Sequence, residues 1–157
     1  MIYQLYDLEE KIARLKASGK TVGLCHGCFD IIHTGHVRHF NYAKKMCDFL
    51  FVSVTADQFV NKGPGRPVFR DAERAEILAS LSDIDGSVIS HSATAELVLS
   101  VLQPSIYFKG QEYQSDSTRF SANFQKELGV ASKLGVDVVF TQEKVDSSTR
   151  IIDKIRL

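Results

Sequence analysis

Residues 25–36 read CHGCFDIIHTGH, and these twelve positions hold two of the chain's three cysteines and three of its five histidines. Two kinds of chemistry use such a set. Cys25 and Cys28 have the C-x2-C spacing of half a structural zinc site, or of a thiol redox pair. His33 and His36 fall one residue short of the H-x3-5-H spacing that would complete the zinc site, and Cys47 follows only at the end of a helical pattern. Cys25 also ends an apolar strand pattern, where a cysteine packs as a small hydrophobe. The second chemistry is phosphate binding. Gly27 lets the chain turn tightly after a strand, and Asp30 can tie that turn through backbone amides. His33 or Thr34 then starts a helix, with Gly35 in its first turn, where a phosphate or a base can approach the backbone. A helix start presents unpaired N–H groups and partial positive charge. Residues three apart lie on one helix face, so both imidazoles can donate to the same phosphoryl group. A zinc or thiol module at Cys25 and Cys28 stays open as the rival.

These side chains need a frame, and the rest of the chain supplies an alternating one. Helix 7–17 carries Leu8, Ile12 and Leu15 on one stripe and ends at Gly19. Strands are expected at 21–25, 49–55, 87–90, 105–108 and 136–141, with helices at 36–46, 70–81, 93–102, 119–134 and 148–157. The run FLFVSVT is apolar throughout, as in a strand covered on both sides. Pro104 stops one helix and Gly135 closes another. Strands alternating with helices predict an α/β, Rossmann-like domain over residues 1–157, with a five-stranded parallel sheet and helices on both faces. The helix within residues 1–19 is expected to pack on that domain. Ligands of such sheets bind beyond the carboxyl ends of the strands. There the sequence puts Lys62, Arg66 and Arg70 after the second strand, His91 after the third, Lys109 after the fourth and Arg150 after the fifth.

That clustering matters because the chain is electrically balanced, with 19 Lys plus Arg against 19 Asp plus Glu. No global basic field favours nucleic acid. At 157 residues, 44% hydrophobic and 24% charged, the composition is that of a globular domain. Apolar runs stay well short of the roughly 20 residues of a membrane span. The first twenty residues mix acids and bases, unlike a secretory signal. An odd cysteine count gives no disulfide framework, so the expected compartment is the cytoplasm.

GCFDIIHTGH resembles the G-x-F-D-x-x-H-x-G-H signature of the nucleotidyltransferase superfamily that includes cytidylyltransferases and adenylyltransferases. AKKMCDFLFVSVTAD, KGPGRPVFRDAERAEILASL, PSIYFKGQEY and SSTRII resemble its later motifs in the same order, so the likeness covers nearly the whole chain. Within the superfamily it is similar to the nucleotidyltransferase domains of ADP-heptose synthases and to glycerol-3-phosphate cytidylyltransferases. It departs at Met46-Cys47, at Ser105 and at Gln111, and in a longer segment between Gln114 and Lys133.

The resemblance implies transfer of a nucleotidyl group from ATP or CTP to a phosphorylated sugar or polyol, with Mg2+ held by the phosphates and water rather than by side chains. It implies catalytic roles for His33, His36, Lys45 and Arg150. Nucleotide contacts would come from Gly27, Cys28, Phe29, Asp30 and Gly35, from Lys109, Gly110 and Tyr113 around the base, and from Ser147, Ser148 and Thr149. Lys62, Arg66 and Arg74 would hold the acceptor phosphate or the triphosphate, and Asp57 the acceptor or the metal, unless it merely caps a turn. Small-molecule substrates and a homodimer are implied, with neither nucleic acid nor membrane. A non-catalytic nucleotide-binding protein on the same fold is the other alternative.

Overall fold

The computed structural model describes residues 1–115, 121–142 and 147–155. Its strands are β1 (Ile2–Tyr3), β2 (Val22–Gly27), β3 (Phe49–Thr55), β4 (Gly86–Ser90), β5 (Ile106–Lys109) and β6 (Asp137–Phe140). The helices described are α1 (Leu5–Ala17), α2 (Thr34–Lys44), α3 (Asp71–Ala79), α4 (Glu96–Leu102), α5 (Ala122–Leu134) and α6 (Ser148–Ile155), with 3-10 turns at Asp57–Phe59 and Gln111–Gln114. Residues 119–120 and 156–157 of the expected helices lie outside the described residues. Helix α4 starts later than its apolar pattern, because the Ala95 N–H is taken by Glu127 Oε1 at 3.0 Å and Thr94 and Glu96 bond to each other.

All pairings are parallel, in the order β1-β4-β3-β2-β5-β6, so the sheet has six strands where the sequence predicts five. The extra strand is only two residues long, too short to leave a period in the sequence. It pairs Ile2 with Ser87 and Tyr3 with Val88. Gly86 makes the seat, since a Cβ there would come within 2.4 Å of the Tyr3 ring. Tyr3 in turn meets Phe51 edge-on at 6.1 Å. The strand order reverses between β2 and β5, and the carboxyl ends of those strands flank the cleft described below.

Each sheet face has its own core. Leu8 and Ile12 of α1, Val98, Leu99 and Leu102 of α4 and Ala131 of α5 cover Leu24, Phe51, Val88 and Tyr107. Phe40 and Ala43 of α2 with Ala75 and Leu78 of α3 cover Cys25, Leu50, Val52, Val54 and Phe108. Because side chains alternate along a strand, His26 shares the first face with Leu24. Ser53 and Thr55 share it with Phe51, Ser90 with Val88, and Lys109 with Tyr107. Toward its carboxyl edge that face therefore changes from apolar to hydrogen-bonding, although Ser53, Thr55, Ser90 and Lys109 are all buried. Burying polar groups is costly unless they are paired or serve a ligand.

Candidate active site

His33 is the N-cap of α2, with extended backbone at φ −140°, ψ 172°, and its Nδ1 accepts the Gly35 N–H at 3.1 Å. A ring that accepts through Nδ1 carries its neutral-state proton on Nε2. His33 stacks on His36 at 3.8 Å between centroids and 25° between planes. Phe29 holds His36 from the side, edge-on at 5.3 Å and 77°. Phe29 itself has φ 48°, an unusual left-handed setting for a bulky residue, and its ring is locked against Phe40 at 5.3 Å. Gly27 permits this fold-back, since a Cβ there would lie 3.0 Å from the Phe29 ring.

Behind the histidines a second layer joins three loops. Asp30 is buried and accepts Arg66 Nε at 2.6 Å, the Val68 N–H at 2.7 Å and the Phe69 N–H at 3.2 Å. Burial pushes its carboxyl pKa up, but the Arg66 bond and the two amides outweigh this and hold it below the ordinary 3.8. Arg66 also donates to Thr149 Oγ1 at 3.3 Å, and Ser148 Oγ donates to the Ile31 carbonyl at 2.9 Å. Arg74 is fully buried and donates to the Phe69 carbonyl at 3.0 Å, the Cys28 carbonyl at 2.6 Å and Asp57 Oδ1 at 2.7 Å.

The cleft opens over α2, between the 26–29 turn and the segment after β5. On its far wall Lys109 Nζ meets Glu127 Oε2 and Tyr107 Oη, each at 3.2 Å, and lies 3.9 Å from the Tyr113 ring centroid. Glu127 also accepts the Tyr107 hydroxyl at 2.9 Å; burial first, then the charge and hydrogen bond of Glu127, push the Tyr107 pKa well up. Two further imidazoles line the cleft. His26 Nδ1 is 2.5 Å from Ser53 Oγ, and His39 Nδ1 is 2.8 Å from Thr141 Oγ1. Burial lowers both pKa values to about 4, so both rings are neutral at pH 7.

Gly27, Cys28, Phe29, His33, Gly35, His36, Lys62, Lys109, Gly110 and Tyr113 thus line one cavity. The other proposed site residues stand elsewhere. Arg74 is expected at an acceptor phosphate; in the fold each nitrogen of its buried guanidinium donates to the protein, so that it clamps loops. Asp57 is its ion-pair partner, and Asp30 and Arg66 latch the 62–69 loop to the first turn. Ser148 and Thr149 brace that turn from the start of α6, Ser147 Oγ accepts the Arg150 N–H at 3.1 Å, and the Arg150 side chain is exposed. Lys45, exposed at the C-cap of α2, is separated from the histidines by the length of the helix, roughly 16 Å.

His26, His39, Tyr107, Glu127 and Thr141 stand in or behind the walls of the cleft without being expected there from the sequence. His39 was signalled by continuing the three-residue spacing of His33 and His36. Glu127 had no signal, since an acid on an amphipathic helix is normally solvated. Cys25 is buried in the core, with burial pushing its thiol pKa far up, and no group of three or more His, Cys, Asp or Glu able to hold a metal occurs among the described residues. The zinc reading has no site to occupy there. Nor is any helix among the described residues long and apolar enough to cross a membrane.

Residues 24–154 match the pattern of the cytidylyltransferase-like family. The chain belongs to the cytidylyltransferase-like family of nucleotidyltransferases. Among curated family relatives, the bifunctional protein HldE of Desulfatibacillum aliphaticivorans is 32% identical over 157 residues, 97% of this chain and 30% of that one. HldE of Vibrio atlanticus (strain LGP32) is 36% identical over 151 residues, 95% and 30% of the respective chains. This cytidylyltransferase-like chain therefore spans about a third of the length of those relatives. A crystal structure of the lipopolysaccharide core biosynthesis protein from Thermoplasma volcanium GSS1 superposes with a TM-score of 0.64 at 23% identity, over 81% of this chain and 100% of that one. At that identity the likeness concerns the fold.

Proposed function

We propose that the chain transfers a nucleotidyl group from ATP or CTP to the phosphate of a phosphorylated sugar or polyol, giving a nucleotide-activated product and pyrophosphate. A phosphate oxygen of the acceptor attacks the α-phosphorus. The new P–O bond forms as the bond to the bridging oxygen of the pyrophosphate breaks, and pyrophosphate leaves with that electron pair. A phosphate dianion is nucleophilic near neutral pH, so the step needs no general base, and catalysis consists of positioning and charge stabilisation.

The observation that carries this reading is the stacked pair His33 and His36 at the start of α2, inside a cleft also lined by Lys62 and Lys109. With His33 Nδ1 engaged by Gly35, Nε2 becomes the donor to a developing phosphoryl charge. The helix start adds backbone N–H groups. Lys62 steadies the triphosphate from the opposite loop, while Tyr113 and the backbone at Gly110 border the base. Magnesium, carried by the triphosphate oxygens and water, would neutralise phosphate charge; the described residues offer no cluster to hold it by themselves. Heptose 1-phosphate, another sugar phosphate and glycerol phosphate are the acceptors within this reading.

The test crosses ATP and CTP with heptose 1-phosphate, mannose 1-phosphate and glycerol 3-phosphate and measures pyrophosphate. One pair should turn over, and His36→Ala should slow it by about 10²–10³-fold. Failure of every pair, or an undiminished rate in the variant, would overturn the reading.

A further inference from the structure

His39 lies one turn beyond His36 on α2, roughly 4.5 Å farther along the axis, and lines the same cleft. Phosphate binding at His33 and His36 gives this third ring no work. Its setting is nevertheless well defined. The ring packs against Phe40 at 5.6 Å between centroids and 60° between planes. Its Nδ1 lies 2.8 Å from the hydroxyl oxygen of Thr141, a buried residue that directly follows β6. Thr141 is tied in turn to Lys109. Its N–H donates to the Lys109 carbonyl at 2.8 Å, and its hydroxyl donates to the same oxygen at 3.4 Å. Gly110, next in the chain, and Tyr113 line the cleft beside it. His39 is therefore fastened to the wall where the base is placed, away from the start of α2.

The chain of contacts fixes where the imidazole proton sits. A hydroxyl has one proton to give. When Thr141 gives it to the Lys109 carbonyl, the Thr141 oxygen accepts from His39 Nδ1–H, and both contacts are hydrogen bonds. The reverse arrangement, with Thr141 donating to Nδ1, forfeits the bond to the carbonyl. His39 thus carries its proton on Nδ1 and a lone pair on Nε2. That is the opposite of His33, whose Nδ1 accepts the Gly35 N–H. Burial keeps the ring neutral at pH 7. A lone pair repels a phosphate oxygen, so His39 is not a third phosphate donor. It suits a ligand N–H. We infer that His39 Nε2 accepts a hydrogen bond from the exocyclic amino group of the nucleotide base, which makes His39 a specificity residue and Thr141 the positioning residue that sets its tautomer. An oxo group at the same place would turn a second lone pair toward Nε2. The inference rests on the nucleotidyl-transfer reading above, which assigns no side chain to the polar edge of the base.

The experiment is calorimetric titration of the full chain with magnesium and ATP, ITP, CTP or UTP, and with tripolyphosphate, which has no base. Of ATP and CTP, the one held more tightly should bind about tenfold or more better than its oxo counterpart, ITP or UTP respectively. That ratio corresponds to losing one hydrogen bond. His39→Phe keeps an aromatic ring against Phe40 but removes both nitrogens. It should bring the amino-to-oxo ratio to within about twofold of unity while tripolyphosphate binds as before. Thr141→Val frees the proton to sit on either nitrogen, so the Nε2–H form can donate to an oxo group. The ratio should then fall by about threefold or more. Equal binding of amino and oxo triphosphates by the wild type, or variants that keep the wild-type ratio, would overturn the inference. If His39→Phe also loses tripolyphosphate, the Thr141→Val ratio decides. Amino-selective binding without pyrophosphate release from any acceptor would sustain the inference and sink the transfer reading. Pyrophosphate release at equal rates from amino and oxo triphosphates would do the reverse.

Discussion

Arg66 Nε reaches Asp30 Oδ2 at 2.6 Å with side-chain exposures of 6% and 0%, and this pair joins the loop after β3 to the turn after β2. Removing one partner of a buried pair leaves the other charge uncompensated, at a cost of about 3–5 kcal/mol. Asp30→Ala also strands the Val68 and Phe69 amides, so a loss near the upper part of that range is expected from urea unfolding. The acid side follows the same sign. A carboxyl held below 3.8 in the folded chain contributes fully at higher pH, and its contribution drains away as pH falls below about 3.8.

The two roles of His33, capping α2 and facing phosphate, can be separated. His33→Asn keeps an N-cap acceptor, whereas His33→Ala forfeits about 1 kcal/mol of helix stability. Both should lower turnover by about 10²–10³-fold. Equal melting temperatures for the wild type and the asparagine variant, with collapsed kcat only in the latter, is the expected pattern.

His26 and His39 give the fold a pH dependence of their own. Their folded pKa values are about 4, against an ordinary 6.5. Between those limits the unfolded chain binds more protons, so stability falls as pH drops from about 6.5 toward 4. Each ring adds about 1.4 kcal/mol per pH unit to the slope in mid-window. Denaturant titrations at pH 7, 6 and 5 should follow that decline, and His39→Gln should remove roughly half of the two-ring slope.

Lys62 and Lys45 make a paired control. Lys62 lines the cleft, whereas Lys45 sits at the remote end of α2. Lys62→Ala should raise the triphosphate KM about tenfold, the loss of a charge-assisted contact. Lys45→Ala should leave KM and kcat within about twofold. A collapse of activity in the Lys45 variant would mean that the residue reaches phosphate by a route absent from this fold.

The legible parts of this protein were those written in local pattern. The apolar run of β3, the stripes of α1 and α3 and the His33–His36 spacing each mark structure through near neighbours in sequence. What escaped depends on residues distant in sequence. Arg74 reads as a cation near a phosphate loop, and only the folded chain brings the Cys28 carbonyl, 46 residues away, to its guanidinium. Glu127 reads as surface charge until Lys109, Tyr107 and the Ala95 amide converge on it. Two-residue β1 has no period at all, and its existence is decided by a glycine across the sheet. Lys45 stands at the far end of α2 from the histidine pair, a separation that its place within the motif does not reveal.

The polar carboxyl edge of the sheet also shapes how the molecule breathes. Leu24 and Phe51 clamp the earlier part of β2 and β3 under α1 and α4, while His26 and Thr55, at or next to the ends of those strands, lie beneath a cavity. Amide hydrogens should therefore exchange slowly along the first part of each strand and faster near its tip. Occupancy by substrate should flatten that gradient from one end only, so that the catalytic rim tightens over a floor that was rigid already.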